Sequence, residues 1–131
     1  MGAGCGVTEL EALMETVGRS GYLFHAFQVD RYGPEVLAAV HDFGGCADVV
    51  ILFDEERACA YRTPTGTGID TFAPTHVYWS YASSPVWTLR ALVTLPPPGH
   101  PDAPSGLTPA PSGLGLPIEG RQPVRVRKRG R

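Results

Sequence analysis

The stretch 76-HVYWSYASSPVWTLRALVTL-95 decides how the chain is read. Ser83-Ser84-Pro85 divides it into two runs rich in aromatic and β-branched residues, which favour strands. A three-residue loop sets Tyr81 opposite Trp87, Trp79 opposite Leu89 and Val77 opposite Ala91. With Val93 and Leu95 these residues form one continuous apolar face. The other face carries His76, Tyr78, Ser80, Thr88, Arg90 and Thr94, interrupted by Leu92. One register explains the alternation of both runs, so the stretch is expected to be an antiparallel hairpin over 76–95.

Upstream, residues 48–62 read as a second hairpin. Val49–Phe53 runs out, Ala58–Arg62 returns, and Asp54–Arg57 makes a four-residue loop. That loop pairs Phe53 with Ala58, Ile51 with Ala60 and Val49 with Arg62. Both faces are then apolar, as in strands covered on two sides. Residues 63–75, with Pro64, Gly66, Gly68 and Pro74, form a long connecting loop. Residues 22–29 read as a further strand behind Gly21.

Two helices are expected before the hairpins. Thr8 and Glu11 make a capping box, and Leu10, Leu13, Met14 and Val17 follow one helical stripe. Pro34 suits the first turn of a second helix carrying Val36, Leu37, Val40 and Phe43, stopped at Gly44-Gly45. The fold class is therefore α+β: two short N-terminal helices packed on a mainly antiparallel sheet of about five strands. Two short helices do not cover a sheet on both faces, and self-association is one way to supply the missing cover.

From Pro96 onward the pattern dissolves. Nine Pro and six Gly fall in the last 36 residues, and the apolar residues have no period. Such a segment buries too little apolar surface to offset its ordering entropy. The expected division is a flexible N-terminus at 1–6, one domain at 7–95 and a disordered tail at 96–131.

Charge follows the same boundary. Residues 96–131 hold six Arg or Lys against Asp102 and Glu119, a balance of +4. With −2 for the whole chain, residues 1–95 carry −6. The basic end, Arg121, Arg125, Arg127, Lys128, Arg129 and Arg131, is a candidate for salt-sensitive, non-specific contact with nucleic acid. Its plain alternative is a solubilising tail, since no zinc finger, helix-turn-helix or aromatic binding surface accompanies it.

Chemical motifs are scarce. Cys5, Cys46 and Cys59 lack the close pairing of structural zinc ligands. There is no G-x-S-x-G elbow, and Thr65-Gly66-Thr67-Gly68 lacks the Lys of a phosphate loop. Asp54-Glu55-Glu56 reads as a solvated hairpin tip. The constellation that remains is His76, Tyr78, Ser80 and Arg90, with Tyr78 opposite Arg90. Together they offer a ring, a hydroxyl, a guanidinium fork and an imidazole for a carboxylate, a phosphate or a partner loop. No catalytic residue, metal or cofactor is assigned.

The words DVVILFDEE, AYR-TP, FAP and SPVWTLRALVTLPPPGHPDAP, spread over residues 48–104, resemble small uncharacterised proteins of high-GC actinobacteria. The absence of Asn and the single Lys128 fit a GC-rich source. The resemblance implies no activity. No apolar stretch is long enough to span a membrane, and Met1–Gly6 lacks the basic n-region of a signal peptide, so the expected location is the cytoplasm. The sequence thus points to a non-enzymatic accessory or protein-interaction protein that self-associates or binds a protein partner. The alternatives are nucleic-acid association through the tail and a small enzyme with a site around His76 and Arg90.

Overall fold

The computed structural model describes residues 8–28, 35–116 and 123–128. Helix α1, Glu9–Arg19, begins with the expected capping box. The Glu11 backbone N–H donates to Thr8 Oγ1, and the Thr8 N–H donates to the Glu11 carboxylate, both at 3.1 Å. Strands β1 (Leu23–Gln28), β2 (Glu35–Asp42), β3 (Cys46–Leu52) and β4 (Ala58–Pro64) follow. Then come the two-residue β5 (His76–Val77), β6 (Trp79–Ser83), helix α2 (Pro85–Val93), the two-residue β7 (Thr108–Pro109) and β8 (Pro123–Lys128).

The class is α+β, with two helices among the described residues and an antiparallel sheet ordered β6-β4-β3-β2-β1. The backbone of β8 pairs along the outer side of β1. A separate small ladder joins β5 to β7. The helices are not both N-terminal, and two of the expected elements exchange type. The residues expected to form the second helix are strand β2. Its Val36 and Ala38 are buried on one face of the sheet and Ala39 on the other, so its apolar run is continuous. A short continuous run of that kind fits a buried strand as well as a helix.

The second half of the expected 76–95 hairpin is helix α2. Ser84 stands at the cap position and Pro85 at the first turn, where its fixed φ suits a helix and its missing N–H costs nothing. Pro85, Thr88, Leu89 and Leu92 are buried, the i, i+3, i+4, i+7 set of one helical face.

The hairpin at 48–62 exists with its register moved by one. Asp48 pairs with Arg62, Val49 with Tyr61, Val50 with Ala60 and Ile51 with Cys59. The loop holds five residues and closes with Phe53 N–H donating to the Arg57 carbonyl at 2.9 Å. A slip of one residue exchanges the faces of a strand.

Both faces of the sheet are covered by the chain itself. Helices α1 and α2 cover one, where Val17, Tyr22, Phe24, Val50, Ala60, Leu89 and Leu92 form a core. Against the other, Phe27, Val36, Val49, Ile51, Tyr61 and Val77 pack with Leu116, Phe72, Ala110 and Leu114. The 63–75 connection is held down there, with Tyr61 Oη donating to the Thr71 carbonyl at 2.6 Å. The Leu116 N–H donates to the Phe72 carbonyl at 2.7 Å.

This second layer includes residues beyond the boundary expected at Leu95/Pro96. Residues 108–116 contribute a strand and a buried leucine to the domain, although their Pro/Gly-rich composition suggested disorder. A buried Leu stabilises by roughly 1.5–3 kcal/mol, and the Ala110 N–H to Thr75 carbonyl and Leu116 N–H to Phe72 carbonyl bonds help to hold the segment. Among the described residues no helix is long and apolar enough to cross a membrane.

Candidate functional site

The corrected register places a row of polar and aromatic side chains across the helix-covered face. His41 on β2 is opposite Asp48 on β3, Asp48 is opposite Arg62 on β4, and Arg62 is opposite Trp79 on β6. Tyr22 immediately precedes β1 and meets His41 edge-on, with ring centroids 5.1 Å apart. All five project to the same face because they occupy directly opposed positions on successive strands.

The centre of the row is a buried ion pair. Arg62 Nε donates to Asp48 Oδ1 at 2.6 Å, and Arg62 Nη2 donates to Oδ2 at 2.8 Å. The two side chains are 2 % and 4 % exposed. The hydrogen bonds to Asp48 hold the guanidinium above its ordinary pKa, against the opposing effect of burial, so Arg62 remains a cation. Burial pushes the Tyr22 phenol well above its ordinary pKa; Asp48 adds to this and Arg62 opposes it. Tyr22 is therefore a neutral phenol. Burial also pushes the Cys46 thiol up, partly offset by Arg62, which keeps it protonated.

One group in the row is unmet. Arg62 Nη1 is buried and has no hydrogen-bond partner among the described residues. A guanidinium has five N–H donors in a fixed plane, and Asp48 engages only two of them. Leaving a buried donor unsatisfied costs about 1–3 kcal/mol, and more when it is charged.

Arg62 forms part of the wall of a cleft of about 200 Å3, along with Asp48, His41 and Tyr22. The end of α1 contributes Thr16, Val17 and Ser20, and α2 and its exit contribute Leu92, Val93, Leu95 and Pro97. Phe43, just beyond β2, completes the lining. Its ring stacks on His41 with centroids 4.1 Å apart, and it lies 5.6 Å from Arg62 Cζ. The rim is apolar and partly open: Phe43 is 37 % and Val93 40 % exposed. The two aliphatic hydroxyls of the cleft are turned to the helix, Thr16 Oγ1 donating to the Ala12 carbonyl and Ser20 Oγ to the Thr16 carbonyl.

The residues singled out from sequence alone fall elsewhere. His76 is exposed on β5, with its Nδ1 3.2 Å from Thr75 Oγ1. Tyr78 sits between β5 and β6 and donates its backbone N–H to the Arg62 carbonyl at 2.8 Å. Ser80 is on β6, opposite Tyr61. Arg90 is on α2, bonded to Glu9 of α1 and stacked 4.7 Å from the centroid of the Trp87 ring. Tyr78 and Arg90 are therefore not opposite one another, and Arg90 ties the two helices together. Of the basic end, Arg125, Arg127 and Lys128 lie in the backbone of β8; Arg121, Arg129 and Arg131 lie outside the described residues.

Sequence reasoning missed Asp48, Arg62, His41 and Tyr22. The available signal was a lone Asp and a lone Arg inside two apolar strand segments. A five-residue loop brings that pair together, whereas the four-residue loop sets Val49 against Arg62. Comparison of the chain with protein-family models, curated proteins and solved structures finds no match.

Proposed function

We propose that the chain is a small non-enzymatic accessory protein that works by binding, and that the cleft over Arg62 is its binding centre. The observation that carries this reading is the unmet Nη1 of a fully buried, charged side chain that helps to line an apolar-rimmed cleft. Binding suits the arrangement better than catalysis. The hydroxyls of Thr16 and Ser20 are given to helix carbonyls instead of a base, and the Tyr22 phenol and Cys46 thiol are held protonated. A nucleophile needs a base within hydrogen-bond reach, and these four groups are not disposed that way.

The partner we favour is a protein segment or small molecule rather than a second copy of the chain. An uncovered sheet face would favour self-association, and residues from 71–77 and 108–116 pack against that face. Nucleic-acid association remains a separate proposal, carried only by the +4 balance of residues 96–131. A mobility-shift comparison of the full chain with one ending at residue 118 tests it; equal binding by the two removes it.

The main reading is tested by unfolding. A buried ion pair is often no better for stability than apolar residues of similar volume. If Asp48 and Arg62 serve binding, the double variant Asp48→Leu/Arg62→Met unfolds in urea at a midpoint equal to or above that of the unaltered chain. Arg62→Met alone strands a buried carboxylate and costs about 3–5 kcal/mol. A double variant as unstable as the single one means that the pair serves the fold, and the reading fails.

A further inference from the structure

We propose that the cleft takes a carboxylate carried on a compact apolar body, bound end-on to Arg62 while Asp48 holds the guanidinium side-on. The inference rests on the cleft being a binding centre and adds the chemistry of what it binds.

Asp48 occupies Nε and one N–H of Nη2. The remaining donors, two on Nη1 and the second on Nη2, include a parallel pair at the end of the guanidinium. Such a fork matches the two oxygens of a carboxylate, and an arginine pairs with carboxylates in this bidentate way. A single carbonyl oxygen would use the fork incompletely. A phosphate brings more negative charge than the cleft can balance, because among the described residues Arg62 is the only Arg or Lys lining it, and it already shares its charge with Asp48.

The rest of the ligand is set by the walls. Val17, Leu92, Val93, Leu95 and Pro97 offer apolar contact. A volume of about 200 Å3 is below the roughly 300–1,000 Å3 of sites for drug-sized ligands. It suits a short branched or aromatic acid, or the last residue of a polypeptide with its terminal carboxylate. Phe43 stands at the mouth: its partly exposed ring lies 5.6 Å from Arg62 Cζ, and the proposed ligand requires that ring to turn aside to reach the buried Nη1.

The test is a titration of the 15N-labelled full chain followed by amide chemical shifts. The probes are isovalerate, isovaleramide, N-acetyl-alanyl-leucine, its C-terminal amide, and inorganic phosphate. The proposal expects at least one carboxylate probe to shift the amides of Phe43, Asp48, Arg62, Leu92 and Val93 saturably, at least tenfold more tightly than its amide. Binding of isovalerate alone identifies a free acid as the source, and binding of the peptide alone identifies a polypeptide terminus; either supports the proposal. Val93→Asp, an exposed change at the rim, should weaken the carboxylate at least tenfold while preserving the folded spectrum.

Equal affinity for acid and amide within the cleft overturns the carboxylate assignment and leaves the cleft as a binding centre. Phosphate binding as tightly as the acids, shifts confined to residues outside the cleft, or no saturable shift with any probe also overturns it. In those cases the unfolding comparison of the double variant separately decides the binding reading.

Discussion

At Asp48 and Arg62, two charged residues lie inside strands that otherwise read as apolar. Directly opposite positions bring their side chains together, and the bidentate geometry pairs the two charges at side chains that are almost fully buried. The pair is thus a consequence of register. Read with a four-residue loop, the same sequence sets Arg62 against Val49 and conceals the site. The lone Asp-Val-Val-Ile-Leu and Ala-Tyr-Arg-Thr segments gave no spacing motif, because the partners are fourteen positions apart and meet only through strand pairing.

The neighbouring Tyr22 yields a pH prediction. Burial raises its phenol above the ordinary value, which is about 10 in an unfolded chain. Above about pH 10 the unfolded state releases that proton while the folded state retains it, so the folded state binds more protons. The contribution of Tyr22 is complete below about pH 10 and is lost progressively as pH rises towards the folded value. Tyr22→Phe should flatten the decline of urea stability between pH 10 and 11.5. An unchanged slope in the variant contradicts the burial of this phenol.

The elements show where periodicity decides and where it does not. Helix α1 was legible because its capping box and stripe agree. Strand β2 was not, since Val36-Leu37-Ala38-Ala39-Val40 is buried on two sides and has neither a two-residue nor a helical alternation. Helix α2 had a signal that the strand reading passed over: Ser84 before Pro85 marks a helix start, and Pro85, Thr88, Leu89 and Leu92 share a helical face. Its Trp87 and Arg90, assigned to opposite faces of a strand, instead stack on each other at the helix surface.

The segment ending at Leu116 depends on Gly115. Its φ is +85°, and a Cβ built there would lie 2.4 Å from the Phe72 carbonyl oxygen. Gly115→Ala should therefore cost more than about 1 kcal/mol and loosen Leu116 from the sheet. Cys59, buried in the same cluster with its thiol pKa raised by burial, should then react faster with a thiol reagent. Unchanged stability and unchanged Cys59 reactivity would show that the segment does not seal this face.

Over the whole molecule, the sheet is a layer closed on one side by helices and on the other by irregular chain. The α+β class and the antiparallel sheet were visible in the sequence; the source of the second cover was not. Pro-rich segments such as 96–116 lack the periodicity by which packed elements are recognised, yet a buried Leu and a few backbone bonds attach this one. A chain ending at Leu95 should consequently bind a hydrophobic dye and lose cooperative unfolding, because Phe72, Val77 and Ile51 lose their cover. Cooperative unfolding of that truncated chain at the original midpoint would support the boundary read from sequence.

The same architecture gives the cleft its character. Two helix ends, a strand row and the chain leaving α2 meet over one buried cation, and one nitrogen of that cation has no acceptor among the described residues. A high-resolution crystal structure of the full chain soaked with isovalerate measures this directly. The account predicts carboxylate oxygens about 2.7–2.9 Å from Arg62 Nη1 and Nη2, with the Asp48 pair intact and the Phe43 ring turned aside. Nη1 capped by an oxygen of the chain itself, with the cleft closed over it, would contradict the account.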